Sequence, residues 1–503
     1  MPRSAVIAIA VLGVVALLVS TTFALVRSGQ LLSTRAELAA ARGDLAELRS
    51  EQAADGGAGA AEEPAEPLDD LLNGEAGEAL RSLFPEDAGG LEGLLDDDTA
   101  RLARCVQQAG APGTRDVPDG RTTQQVGLIA DAVEDLRSLQ FDREPSPTLL
   151  DADAIARRVA DRVREEYAAG DADDDGRLLA ALGAVAPDTD LVELQSDLLA
   201  GQVAGFYDTE TEELVVRADP AQDGLDPTAQ TVVAHELQHA LADQAFELPV
   251  DTFEDLTDGD AALAALALTE GDATLAQQQF TVVGLSIDEQ LGLSADPDAR
   301  AAQRRLADVP HYVARSLDFP YLAGLRFACA RYLEGGWEAV DAAYDRLPET
   351  SAEILDPQRY PTAAVDVRDP GDPGGDWQRR RATTFGAADL LWLFEAPGDD
   401  TSQAIDGPRE QALAWTGGEL TLWTDEDATA VGLALTQTAD GPLCDALVTW
   451  YERAFPAATD APTRRDERMI RAGDDQTAVI TCVDEDVRMG IGPDLDTARA
   501  LVR

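Results

Sequence analysis

The sequence predicts an α+β protein in two parts: a mainly helical region with a small β hairpin over residues 71–365, then a smaller α+β domain over 376–503. Three observations predict this. Apolar residues recur at helical spacing through most of the first part, two β-prone runs flank a polar turn at 205–216, and strand-like alternation appears beyond a Pro, Gly and Asp cluster at 366–375. With 503 residues, 45% of them hydrophobic, the chain can bury two or three real cores, and wholesale disorder is excluded.

Arg3 precedes an uncharged apolar run from Ala5 to Val26, which ends at Arg27. About 20 apolar residues cross a bilayer as a helix, and a signal peptide's apolar segment is only about 7–15 long, so residues 1–28 read as an N-terminal transmembrane anchor. A cleaved signal ending near Thr22-Phe23-Ala24 is the alternative, and under either reading the bulk of the chain is extracytoplasmic. Leu31, Leu32, Leu38, Leu45 and Leu48 predict an amphipathic helical stalk over 29–52, and the Ala, Gly, Glu and Pro of 53–70 a disordered linker.

Helices are expected around 102–108, 126–139 and 154–167. Residues 171–176, D-A-D-D-D-G, open like a calcium-binding loop, but the twelfth position is Leu182 where a bidentate Glu belongs, so a solvated acidic turn is expected. A helix at 191–202 leads to the 205–216 hairpin. Asp226 followed by Pro227 reads as an N-cap and first helical residue, opening a helix through Phe246. An Ala-rich helix follows at 260–280, and another at 310–332 with a proline break before Tyr321. In the second part, 384–395 and 443–455 read as helices, and 419–424, 430–438 and 477–491 as strands.

Asp and Glu number 95 against 39 Lys and Arg, for a net charge of −56, which repels phosphate backbones and excludes nucleic acid as a partner. Cys105, Cys329, Cys444 and Cys482 allow two disulfides in an oxidising compartment; Cys444 and Cys482 are the preferred pair, with buried free thiols as the alternative for some of the four.

The chemistry concentrates in Ala234-His235-Glu236-Leu237-Gln238-His239-Ala240. Histidines four apart lie on one helical face about 5–6 Å apart at Cβ, so both rings reach one ion. A Glu directly after the first His reaches a metal-activated water without ligating, which makes Glu236 the expected general base. Only 3 His occur in the chain, and two of so few falling four apart by accident is an event of about 1%. Zinc needs a third protein group and an open position. Asp243 is eight residues beyond His235, about 12 Å of helix rise, too far to share one ion with it. His311 follows Pro310 with no pattern turning it inward. Glu270, an acid in the middle of an apolar helix, needs a partner that a metal supplies, so the expected metal ligands are His235, His239 and Glu270. Asp272 is expected either to accept a hydrogen bond from a ligating imidazole or to be solvated.

Together with Gly205-Phe206-Tyr207-Asp208, Glu270-Gly271-Asp272-Ala273 and Phe319-Pro320-Tyr321-Leu322-Ala323-Gly324, this segment resembles the gluzincins, zinc metallopeptidases of the H-E-x-x-H type, and more closely exported bacterial members of the peptidase MA-like group. The resemblance covers about 136–360. It implies a zincin-like fold for the first part, a peptide or protein substrate, and Tyr321 as a catalytic hydrogen-bond donor to the oxyanion. The interval of 31 residues from His239 to Glu270 is longer than in the related aminopeptidases, and their G-x-M-E-N motif is missing, so exopeptidase specificity is not implied. The 205–216 hairpin is expected to offer an edge strand to an extended peptide. The alternatives are a catalytically inactive scaffold of the cell envelope and a zinc hydrolase acting on non-peptide substrates.

Overall fold

The computed structural model describes residues 97–107, 122–143, 145–166, 169–194, 205–217, 224–255, 257–293, 309–464, 467–473 and 476–503. The expected anchor, stalk and linker lie outside these residues, as does 195–202 of the expected 191–202 helix. No described helix is long and apolar enough to cross a membrane.

The chain is α+β. Its first part contains α1 (Asp97–Gln107), α2 (Thr122–Arg137), β1 (Pro147–Leu150), α3 (Ala152–Glu166), α4 (Ala169–Ala181), β2 (Gly205–Asp208), β3 (Glu213–Arg217), α5 (Pro227–Phe246), α6 (Val250–Phe253), α7 (Gly259–Gly284), α8 (Ile287–Leu293), α9 (His311–Gly335), α10 (Trp337–Asp345) and α11 (Ser351–Leu355). The second contains β4 (Gln378–Thr384), α12 (Ala387–Glu395), α13 (Pro408–Ala412), β5 (Trp415–Asp425), β6 (Ala428–Gln437), α14 (Leu443–Ala454), β7 (Thr459–Asp460), β8 (Met469–Ala472), β9 (Thr477–Val483), β10 (Asp486–Gly492) and α15 (Leu495–Leu501).

Three long helices form the frame of the first part. α5 starts where local chemistry dictates: the Asp226 side chain accepts the Ala229 N–H, and Pro227 occupies the first turn, where its missing N–H costs nothing. From Ala229 to Ala242 every residue of α5 is buried, so this helix is central and packed on all sides. α7 is likewise buried without interruption from Ala264 to Thr281. α9 crosses α7 backbone to backbone. A Cβ placed on Gly271 would lie 2.2 Å from the Gly324 carbonyl, and one on Gly324 would lie 2.1 Å from the Ala267 oxygen. Only glycine permits that approach.

The small sheet has the order β1-β3-β2, with β1 parallel and β2 antiparallel to β3. Leu214 and Val216 join Val126, Ile129, Val133, Val233 and Leu237 in one apolar cluster, which seats the hairpin against α2 and α5. The second sheet is seven-stranded and antiparallel, in the order β4-β5-β6-β10-β9-β8-β7. A single apolar cluster runs from Ala264, Leu268 and Phe319 through Leu391 to Leu420, Leu433 and Trp450, so α7, α9, α12, α14 and this sheet share a core. The joint is also polar: Gly259 and Asp260 donate their backbone N–H groups to the hydroxyls of Thr383 and Thr384, at 3.1 and 2.9 Å. Residues of β4 thus satisfy donors that the start of α7 would otherwise leave orphaned.

Three sequence expectations are corrected. The acidic 171–176 segment is not a solvated turn but lies within α4, because two of its carboxylates find cations on β4: Asp174 meets Arg380 at 3.1 Å, and Asp175 pairs with Arg381. Proline does not break the 310–332 helix; α9 runs through Pro320, with Phe319, Pro320 and Tyr321 all buried, and packing outweighs the roughly 3 kcal/mol that an interior proline costs. The expected 384–395 helix begins only at Ala387, where the Asp389 carboxylate accepts the Gly386 N–H at 2.8 Å, and Thr384 ends a strand instead. Cys444 and Cys482 form the preferred disulfide, while Cys105 and Cys329 are buried free thiols.

Candidate metal centre

α5 and α7 bring His235, His239 and Glu270 together, as their spacing and chemistry predict. His235 Nε2 lies 3.0 Å from His239 Nε2, and Glu270 Oε2 lies 3.1 and 3.4 Å from them. These atoms form a nearly equilateral triangle of potential electron-pair donors. A tetrahedral zinc with bonds of about 2.0–2.1 Å sets its ligand atoms about 3.3 Å apart, so the triangle has the dimensions of one face of such a site. Two imidazole nitrogens and a carboxylate oxygen facing one another repel unless a proton or a cation intervenes. Glu270 Oε1 and His235 Nδ1 are buried with no hydrogen-bond partner, a further sign of a polar centre that protein atoms alone do not complete. The donor set fits a divalent metal ion.

The electrostatics follow from burial. His235, His239, Glu236 and Glu270 are only 5, 3, 3 and 1% exposed, so charge here is weakly screened. Burial raises the Glu270 pKa, but His239 and His235 outweigh it and hold the carboxylate at about 2. Glu236 goes the other way, pushed up to about 8 mainly by burial and also by Glu270, against the lowering influence of His235 and the Tyr207 N–H.

Glu236 is aimed by the hairpin. The backbone N–H of Tyr207 on β2 donates to Glu236 Oε2 at 2.9 Å, and the Tyr207 hydroxyl donates to Asp243 Oδ2 at 2.9 Å. Asp243 therefore acts one step behind Glu236 and is not a ligand. A Cβ on Gly205 would come within 3.2 Å of Val232 and 3.6 Å of Glu236, so glycine lets β2 lie close along α5. Among the described residues β2 is at the edge of its sheet, with all four of its residues buried.

Tyr321 sits beside the cluster. Its ring is 6.1 Å from that of His235 and inclined by 27°. The Gly271–Gly324 crossing explains this position, since Gly324 lies one turn after Tyr321 and Gly271 directly follows Glu270. His311 is elsewhere: its Nε2 meets Glu395 at 3.0 Å and its N–H donates to Asp399 at 2.7 Å, pinning the start of α9.

Asp272 is neither solvated nor bonded to an imidazole. Its Oδ2 accepts from Gln238 at 2.9 Å, from the Tyr344 hydroxyl at 2.9 Å and from Arg137 at 3.2 Å. The reason is charge: the Arg137 side chain is fully buried and needs anions, which it finds in Asp272 and in Asp341 at 2.8 Å, with the Trp337 ring 4.1 Å from its guanidinium carbon. Gln238, between His235 and His239 in sequence, is thereby tied to a residue two positions from Glu270. The sequence analysis assigns no role to Arg137, Gln238, Tyr207 or Tyr344. Arg137 carried a readable signal, because it falls at helical spacing on the apolar stripe of Val126, Ala130 and Val133.

Comparison of the chain with protein-family models, with curated proteins and with solved structures found no match in any of the three.

Proposed function

We propose that the chain is a membrane-anchored, extracytoplasmic zinc metallopeptidase of the gluzincin kind, with a zincin-like first part, hydrolysing peptide bonds with Glu236 as general base. The observation that carries this is the convergence of His235, His239 and Glu270 within 3.4 Å, with Glu236 adjoining them on the same helix. His235 and His239 through Nε2 and Glu270 through Oε2 would hold the ion. When bound, zinc supplies Lewis acidity, polarising a carbonyl oxygen and lowering the pKa of a water toward about 7. The Tyr207 N–H fixes Oε2 of Glu236 and leaves Oε1 to take the proton of the attacking water and pass it to the leaving amine nitrogen. Tyr321, beside His235, is the donor proposed for the developing oxyanion, and the burial of the whole group strengthens each of these interactions by excluding water.

Metal analysis of purified protein is expected to give one zinc per chain, lost in Glu270→Ala. Glu236→Gln is expected to keep the zinc and lose cleavage of a peptide library; retained turnover would sink the mechanism. The near-complete burial of Glu236 and the ligands favours a second reading, a metal-bearing scaffold without activity. Stoichiometric zinc with no cleavage of peptide, ester or amide substrates would select it, and cleavage of esters or amides alone would indicate a non-peptidase hydrolase.

A further inference from the structure

We propose that Cys105 of α1 and Cys329 of α9, both thiols in this structure, are a second disulfide site, closed as the chain folds in an oxidising compartment and stapling α1 to the helical frame. This inference is independent of the metal-site reading. The two side chains lie against each other. Cys105 Sγ donates to the Cys329 carbonyl at 3.7 Å, and Cys329 Sγ donates at 3.8 Å to the carbonyl of Arg101, one turn before Cys105. The two thiols are also hydrogen-bonded to one another. Cys105 and Cys329 are 224 positions apart in sequence, and a buried residue touches about 6–12 others, so two given residues of a 503-residue chain meet by accident about 2% of the time. The chain has 4 cysteines, and the other two are already joined as Cys444–Cys482, a bond of the kind that persists in oxidising compartments.

The surroundings suit an uncharged cross-link. Cys105 and Cys329 share an apolar cluster with Val106, Leu275, Leu325 and Ala328, which is where α1 docks onto α7 and α9. A thiol is a weak donor, so little hydrogen bonding is given up when the two sulfurs bond to each other. Once α1 is docked, the Cys105 thiol is unreactive: burial and the neighbouring Cys329 push its pKa far up, and the thiolate is the attacking species. The bond therefore forms before docking is complete, by exchange with a disulfide oxidant of the Cys-x-x-Cys oxidoreductase class. The Cys329 thiolate attacks one sulfur of the oxidant and releases the other as a thiolate; the Cys105 thiolate then attacks the Cys329 sulfur and displaces the oxidant. Two electrons pass to the oxidant's disulfide, and the two protons lost by Cys105 and Cys329 end on its two thiols. Closing an interval of 224 residues restricts the unfolded chain strongly, and it makes α1 covalently part of the frame that carries Glu270 and Tyr321.

The test uses the full chain, secreted into an oxidising compartment, purified without reductant, alkylated in denaturant with iodoacetamide and digested for mass spectrometry. No alkyl group is expected on any of the four cysteines, a peptide pair should be joined through Cys105 and Cys329, and the intact chain should be about 4 Da lighter than its reduced form, two hydrogens for each bond. Alkyl groups on Cys105 and Cys329 in most chains, or a link from either to Cys444 or Cys482, would overturn the proposal. In a Cys444→Ser, Cys482→Ser background, dithiothreitol should lower the urea midpoint of unfolding; an unchanged midpoint would show that the bond staples nothing. Chain folded in reductant should gain the bond from oxidised glutathione at least tenfold more slowly than chain refolding in the same buffer, and equal rates would overturn the stated order of oxidation before docking.

Discussion

The helical frame and the seven-stranded half bury different chemistry. Within α7, Thr269, Glu270, Asp272, Thr274, Gln277, Gln278 and Gln279 are all buried, and Arg137, His235, Gln238 and His239 are buried around them. In 376–503 the buried polar residues among those described are Thr421, Gln437, Thr477 and Thr497, none of them charged. The second half satisfies the ordinary rule that interiors are apolar, held by Leu420, Leu433, Trp450 and a disulfide. The first half departs from that rule, with His235, His239, Glu270 and the Arg137–Asp272 pair among its buried polar groups. Departures of this kind cost stability and mark the place where function sits.

The contrast is broken most directly at Arg137. Arg137→Met strands the buried Asp272 carboxylate, and the expected loss is about 3–5 kcal/mol of unfolding free energy in urea titration. A loss under about 1 kcal/mol would mean that the buried charges are not what organises the frame. In the other half, Cys444→Ser with Cys482→Ser should cost about 2–4 kcal/mol while leaving zinc affinity unchanged, since the cross-link acts chiefly on the unfolded chain. A subtler change sharpens the difference: Gln238→Leu unties α5 from Asp272 but keeps the Arg137 pair. Zinc affinity, read by competition with a chromogenic chelator, should fall about 10–100-fold with little change in melting temperature.

The last test lies at the joint between the halves. Asp260, in the first turn of α7, accepts the Ser351 N–H at 3.1 Å, and its pKa is pushed up to about 7 by burial, helped by Asp389 and opposed by Ser351. The folded chain therefore binds this proton more tightly than the unfolded chain, whose Asp titrates near pH 3.9. The associated stability is complete below about pH 4 and is lost as pH rises to about 7. Asp260→Asn should remove that part of the decline in unfolding free energy across this window; an unchanged pH profile would show that Asp260 does not couple the halves.

Where structure is set locally, the sequence reveals it. Asp226 and Pro227 mark the start of α5, Phe246 its end, and the four-residue spacing of His235 and His239 with one acid in an apolar helix locates all three proposed ligands. What is hidden depends on distant partners. Arg137 and Asp272 are 135 residues apart, and α4 is stabilised by arginines some 206 positions away. β4 was missed because Arg379, Arg380 and Arg381 do not alternate with apolar residues, so a period of two never appears. The position of Tyr321 came from resemblance; what makes it possible is the glycine contact, which has no periodicity to read.

That contact has a mechanical side. α7 is a stiff rod whose first turn is hydrogen-bonded to Thr383 and Thr384 and whose Glu270 lies about 16 Å further along, next to the point where Gly271 rests on Gly324. A rod gripped at one end and pivoted near its middle is a lever, with the ligand carboxylate beside the fulcrum. Bending the edge of the large sheet would turn into rotation of Glu270 against the two imidazoles, so a load on the sheet would reach the three side chains proposed to hold the ion.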